Sequence, residues 1–287
     1  MLPILLEIGF IKVYTFGIFL VLAFFWGCFF LWKNIRLTSY KEEEVFDGLF
    51  FALIIGGFIG RLTHVVLNFS DFGLSPIRFI LINGYPGFSL LGFLLGILLG
   101  FAMFVNTRKI RFQNLIDYVV PPLFLAVAIG KLGSFFSGVE IGTETTLPVA
   151  IQYANYDGMR HLTPLYESII YFLGSYLSFK LLFSVRRDIL DNGFLLSFFI
   201  WFTSAVVFAF DWIREDKMLM YGYSVYGILA MFLLLTFSLY FIYYFRTALL
   251  QPFIGNSHKK NYGKSSQSGV RSKPERKAPR RKKENNG

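Results

Sequence analysis

The chain has 287 residues, of which 55% are hydrophobic, 20% aromatic and only 16% charged. Soluble domains carry about 25% charged residues, so most of this chain has no aqueous surface to cover and a soluble fold is excluded. The formal charge of +10 is gathered at one end: from Asn256 onward eleven Lys/Arg oppose two Glu, a net +9, which leaves +1 for the first 255 residues. A single cysteine, Cys28, excludes disulfides, and three scattered histidines offer no metal-ligand spacing. No metal and no cofactor are expected.

A run of about 20 apolar residues crosses the hydrocarbon core as a helix. In chain order the candidate spans are Val13 to Trp32, Val45 to Phe69, Pro86 to Thr107, Tyr118 to Phe136, Leu162 to Phe179, Asn192 to Phe210 and Met218 to Phe245. Three are interrupted by charge or histidine: the second by Asp47, Arg61 and His64, the fourth by Lys131, the fifth by Glu167. The sequence therefore predicts an all-α polytopic membrane protein with seven transmembrane helices. The first run is too long for a signal-peptide core and no small-residue cleavage pattern follows, so it is expected to be retained.

Loops that alternate along this pattern hold twenty-one Lys/Arg on one side and five on the other (Lys12, Arg78, Arg160, Arg214 and Lys217). Basic loops stay in the cytoplasm, which predicts an external N-terminus and a cytoplasmic C-terminus. Residues 1–254 read as one transmembrane domain and 255–287 as a basic, disordered tail near anionic headgroups. The tail does not interleave aromatics with its cations as base stacking requires, so no specific nucleic-acid partner is expected.

Within or beside the spans stand Arg61, His64, Lys131, Glu140, Glu167, Asp211 and Arg214. Each charge at the bilayer centre costs about 2.5 to 3.5 kcal/mol, so the set implies a polar interior cavity. Taken singly, blander explanations exist. Arg61 follows Gly56, Gly57 and Gly60, where helices pack closely, and His64 shares its face. Glu167 opens the fifth helix, where the helix dipole favours a carboxylate and capping accounts for it as well as chemistry does. The stretch Gly130 to Gly142 contains four glycines. Amides exposed there beside Lys131 would suit a phosphate, the alternative being a kink with a snorkelling lysine.

Six elements stand in order between Lys12 and Tyr243: Tyr14-Thr-Phe-Gly17, Gly57 to Leu62, the triplet Asp117, Pro121 and Gly130, then Gly130 to Val139, His161 to Glu167, and Asp211-Trp-Ile-Arg214. Together they resemble the bacterial prolipoprotein diacylglyceryl transferases. The resemblance implies a seven-span enzyme of the bacterial cytoplasmic membrane. Such enzymes move the diacylglyceryl group of phosphatidylglycerol to the lipobox cysteine thiol of prolipoproteins, forming a thioether and releasing glycerol phosphate. The implied partners are phosphatidylglycerol, prolipoprotein signal peptides with a lipobox cysteine, and membrane lipids.

The departures are specific. The histidine of the family Ser-Phe-His-Gly-Gly motif aligns with Leu91, and the arginine of the Gly-Arg-Ile-Gly-Asn-Phe-x-Asn-Gly-Glu signature with Lys131. The signature asparagines fall on Ser134 and Ser137, its glutamate on Val139 with Glu140 adjacent. The sixth-span arginine falls on Val207 and its acid on Asp211.

Transfer to a thiol needs a base and positive charge on the leaving phosphate. Catalysis by the family's usual residues does not survive these departures, so the base is sought first in Glu140 and second in His161, with Asp211 expected to orient Arg214. The expected substrate-binding residues are Tyr14, Arg61, Lys131, Ser134, Tyr166, Glu167 and Arg214. Two other readings stay open: a phospholipid-binding relative that has lost the reaction, and a small-solute transporter. Seven spans without an inverted repeat weigh against transport.

Overall fold

The computed structural model describes residues 4–8, 11–73, 75–81, 84–85, 87–153, 156–215, 217, 219–220 and 223–246. In chain order these form β1 (Ile4–Ile8), β2 (Ile11–Tyr14), α1 (Thr15–Ile35), α2 (Glu42–Leu67), α3 (Phe69–Phe72), α4 (Pro76–Ile80), α5 (Leu90–Thr107) and α6 (Phe112–Ser137). They continue as β3 (Ile151–Gln152), β4 (Met159–Arg160), α7 (Thr163–Arg186), α8 (Phe194–Asp211), β5 (Leu219–Met220), β6 (Tyr223–Ser224) and α9 (Val225–Tyr244). Seven helices, α1, α2 and α5 to α9, are long and apolar enough to cross a membrane. The chain is an all-α, multi-pass membrane protein, and the described residues include three small antiparallel hairpins, β1–β2, β3–β4 and β5–β6. The expected boundary at 254/255 and the basic tail lie outside the described residues.

Local chemistry moves several helix ends away from the apolar runs. The first run begins at Val13, yet α1 begins at Thr15, because Val13 pairs with Leu6 in the β1–β2 hairpin. The last run begins at Met218, yet α9 begins at Val225 after the β5–β6 hairpin. Hydropathy reports what the surroundings tolerate, not the backbone state. At the head of α5 the Ser89 hydroxyl accepts from Gly92 N at 3.1 Å, the usual N-cap arrangement. In α2 three glutamates, Glu42, Glu43 and Glu44, occupy the first turn, where the helix dipole favours them.

Among the spans α6 is the most enclosed, 56% buried over its apolar window against no more than 39% for any other. It packs along α1 on one side and α7 on the other, while α2 and α5 form a second tight pair. Glycine permits the α2–α5 approach: a Cβ on Gly96 would stand 2.7 Å from the Gly56 Cα.

Polar groups inside the bundle are matched to backbone. Pro122 has no N–H to give the Tyr118 carbonyl one turn back. The buried Asn34 Nδ2 donates to that carbonyl instead, at 3.0 Å. Ser168 donates to Ala128 O at 2.8 Å and Ser175 to Pro121 O at 3.2 Å, tying α7 to α6. Asp117 of α6, fully buried, accepts from Gly193 N at 2.7 Å and Leu195 N at 3.0 Å and so caps α8 from another helix. All of this packing lies within residues 1–239, one compact unit.

Candidate active site

Lys131 lies in the second-last turn of α6. The helix stays regular through Ser137 and ends on Gly138, whose φ of 72° is the left-handed geometry of a helix C-terminus. The expected row of exposed amides is therefore absent, because Gly130 and Gly133 are ordinary helical residues. Gly133 serves packing, since a Cβ there would meet Phe19 Cβ of α1 at 2.4 Å.

Beyond Gly138 the chain turns back and presents Glu140 to Lys131. Lys131 Nζ stands 2.9 Å from Glu140 Oε1, 2.6 Å from Glu140 Oε2 and 2.6 Å from Glu167 Oε2. Arg214 Nη2 donates to the other Glu167 oxygen, Oε1, and lies 3.6 Å from Glu140 Oε2. Two cations and two carboxylates thus alternate in a closed ring of zero net charge. Its inner members are the drier ones: side-chain exposure is 5% for Lys131 and 2% for Glu167, against 27% for Glu140 and 19% for Arg214. Ser134, three residues after Lys131 on the same helix, is buried close to the Glu140 carboxylate.

Backbone pairing holds the two loop-borne members in place. Thr143 N donates to Ile213 O at 2.9 Å and Glu215 N to Ile141 O at 3.0 Å, flanking a bridge between Gly142 and Arg214. His161 N donates to Thr143 O at 3.0 Å on the opposite edge. Gly142 has no room for a side chain, because a Cβ would lie 2.5 Å from His161 O. Ile141, the residue after Glu140, forms a small apolar cluster with Tyr153 and Leu162, with Phe135, Leu165 and Tyr166 packed on it.

Burial would raise the Glu140 pKa, but Lys131 first and Arg214 second outweigh it and hold the carboxyl below its usual range. Burial would likewise lower Arg214, and the carboxylates of Glu167 and Glu140 reverse that, so the guanidinium stays charged. A carboxylate held in this way is a weak base until its cations find another partner.

The sequence candidates separate into groups. Lys131, Ser134, Glu140, Glu167 and Arg214 come together. Tyr166 packs beside them, and His161 approaches Tyr166 edge-on with ring centroids 6.5 Å apart. Glu167 does not cap a helix end, contrary to the dipole reading, because both its oxygens are taken by cations. Asp211 does not orient Arg214. It ends α8, and its Oδ1 accepts from Ser224 at 2.6 Å. Arg61 faces the segment between α2 and α5, where its nitrogens donate to Phe79 O at 3.0 Å, Gly87 O at 2.7 Å and Arg78 O at 3.0 Å. Tyr14 is exposed at the head of α1. Tyr153, buried in the cluster with Ile141, belongs to none of the motifs, and nothing in the sequence around it marks it out.

Residues 3–244 match the family model of prolipoprotein diacylglyceryl transferase. The chain belongs to this family. It is 28% identical over 262 residues to the phosphatidylglycerol–prolipoprotein diacylglyceryl transferase of Listeria innocua, covering 88% of this chain and 92% of that one. The proteins of the same description from Clostridium tetani and Chlorobaculum tepidum are 27% and 26% identical over 192 and 230 residues. Those matches cover 65% and 74% of this chain, and 75% and 78% of the relatives. Within this transferase frame the signature position held by Lys131 is one corner of the charge ring. The position of the motif histidine is Leu91, half-buried in the first turn of α5.

Proposed function

We propose that this protein is a phosphatidylglycerol–prolipoprotein diacylglyceryl transferase of the bacterial cytoplasmic membrane, with the charge ring on the external side. Its acceptors are prolipoprotein signal peptides bearing a lipobox cysteine. The observation that carries this reading is the ring itself, which holds two cations together, one near the end of a helix and one on a backbone-paired loop.

In the reaction the cysteine sulfur attacks the terminal glycerol carbon of the diacylglyceryl group. A C–S bond forms, the C–O bond to phosphate breaks, and glycerol phosphate leaves with the electron pair. Lys131 and Arg214 stabilise the charge that develops on the departing oxygen. Lysine provides a point charge and not arginine's two-pronged grip, so orientation of the phosphate falls more heavily on Arg214. Glu140 takes the thiol proton. In the resting ring it is paired and weakly basic. A phosphate that takes over Lys131 releases it, and its basicity rises when it is needed. Glu167, drier and doubly paired, stays as the fixed anion that keeps both cations in register.

Transfer of labelled diacylglycerol from phosphatidylglycerol to a lipobox peptide tests the reading. Wild type should turn over, and Glu140→Gln should lose at least about a hundredfold, as for removal of a general base. Normal turnover by Glu140→Gln would move the base to His161 or solvent. Leu91 at the motif histidine favours one second reading, a lipid-binding relative without catalysis. Activity that appears only in Leu91→His would establish that reading in place of ours.

A further inference from the structure

Four buried side-chain polar atoms have no hydrogen-bond partner among the described residues: Tyr153 Oη, His161 Nδ1, Thr203 Oγ1 and Arg214 Nε. Folded proteins rarely leave such atoms unpaired, because burial strips their water without replacement. Three of the four are grouped at one place. Arg214 is a member of the charge ring, Tyr153 packs in one cluster with Ile141 and Tyr166, the chain neighbours of the ring members Glu140 and Glu167, and His161 meets Tyr166 edge-on.

Tyr153 is the most telling of them. Only 3% of the residue is exposed, so its hydroxyl is shut off from bulk water. The unmet bond carries a penalty that a phenylalanine would avoid, which points to a use outside the ligand-free fold. Burial first, then Tyr166 and Glu140 beside it, push its pKa up to about 12, so the proton stays on at neutral pH. Arg214 Nε is a donor and nothing else. Two unpaired groups able to donate, near a ring whose cations a phosphate would engage, are met by an oxygen acceptor of that phosphate.

We infer that the Tyr153 hydroxyl is a substrate contact, donating with Arg214 Nε to oxygens of a glycerol phosphate ester seated on the charge ring. The inference rests on the transferase reading and adds a residue to its binding site. The same chemistry belongs to the headgroup of phosphatidylglycerol and to free glycerol phosphate, the leaving group.

Tyr153→Phe removes only the hydroxyl. Its thermal unfolding in detergent should be unchanged or raised, since an unmet polar atom is lost. Its affinity for short-chain phosphatidylglycerol, measured by titration calorimetry, should fall by about tenfold to a hundredfold, the range for a hydrogen bond to a charged group. Tyr156→Phe, at an exposed neighbour, should bind as wild type. Glycerol 1-phosphate is titrated in parallel. Weakening of both ligands assigns the hydroxyl to the shared phosphate ester, and weakening of the lipid alone assigns it to the lipid-linked diester. Weakening confined to glycerol 1-phosphate, or lipid affinity equal to wild type, would overturn the inference. The transferase reading is judged separately, by wild-type turnover. An inactive wild type whose lipid binding still depends on Tyr153 would sink that reading and leave this one standing.

Discussion

Glu167 Oε2 stands 2.6 Å from Lys131 Nζ, and both side chains are almost wholly withdrawn from solvent. Without the Glu167 charge, Lys131 and Arg214 share Glu140 alone, and uncompensated buried charge costs about 3 to 5 kcal/mol, whereas an exposed pair is worth about 1 kcal/mol or less. Glu167→Gln should therefore lower the unfolding temperature markedly. Glu7→Gln, which breaks the half-exposed Glu7–Lys12 pair, should barely move it. Adding Lys131→Met to Glu167→Gln should recover part of the loss. A double variant less stable than Glu167→Gln alone would show that excess positive charge in the ring is not the cause of the loss.

The helices were legible in the sequence and the ring was not, and the reason is one of distance along the chain. Seven apolar runs announce seven spans because crossing the bilayer imposes a length on each run separately. Lys131, Glu140, Glu167 and Arg214 meet only through tertiary folding. Spacing even misleads: Asp211 and Arg214 read as one helical face, but α8 ends at Asp211 and Arg214 is carried away to pair with Gly142. The glycines of the Gly130 to Gly142 stretch suggested open backbone, whereas Gly133 answers to Phe19 and Gly142 to His161, partners that local sequence does not name. Tyr153 had no motif to betray it.

Glu140 gives stability a dependence on pH. Its folded pKa is depressed below the reference 4.5, so its contribution is present above that value and lost as pH falls through the folded pKa. Wild type should lose unfolding temperature over that acid range. Glu140→Gln, less stable at neutral pH, should show a flatter profile, so the two curves converge on acidification. Parallel curves down to about pH 3 would mean that the ring does not hold Glu140 ionised.

Adjacent glycines in α2 should respond in opposite ways. A Cβ on Gly56 would meet Ile97 Cγ1 at 2.8 Å and the Phe93 carbonyl at 3.1 Å, while Gly57 has nothing within 4 Å. Gly56→Ala should destabilise by about 1 to 3 kcal/mol through overpacking. Gly57→Ala should be neutral or stabilising by up to about 1 kcal/mol from helix propensity. Equal losses in the two variants, read by thermal unfolding in detergent, would contradict the tight α2–α5 seam.

The twenty-one to five division of basic residues predicts the orientation. Single cysteines at Ser75, Thr146 and Ser266, in a Cys28→Ser background, report it directly. An impermeant thiol reagent on intact cells should label the first two and spare the third. Labelling of the Ser266→Cys variant from outside would reverse the topology, and with it the placing of the charge ring on the external face.

The bond from Asn34 to the Tyr118 carbonyl works as an address. Lipid tails are as apolar as leucine, so greasy contacts alone cannot tell a helix which neighbour to choose. A proline in α6 exposes one carbonyl at one height, and α1 brings one amide to that height. Assembly of the first span onto the fourth is thereby keyed in both depth and rotation by a single lock. The two spans are separated by two others in the order of synthesis, so the key must wait, unfilled, until α6 enters the membrane.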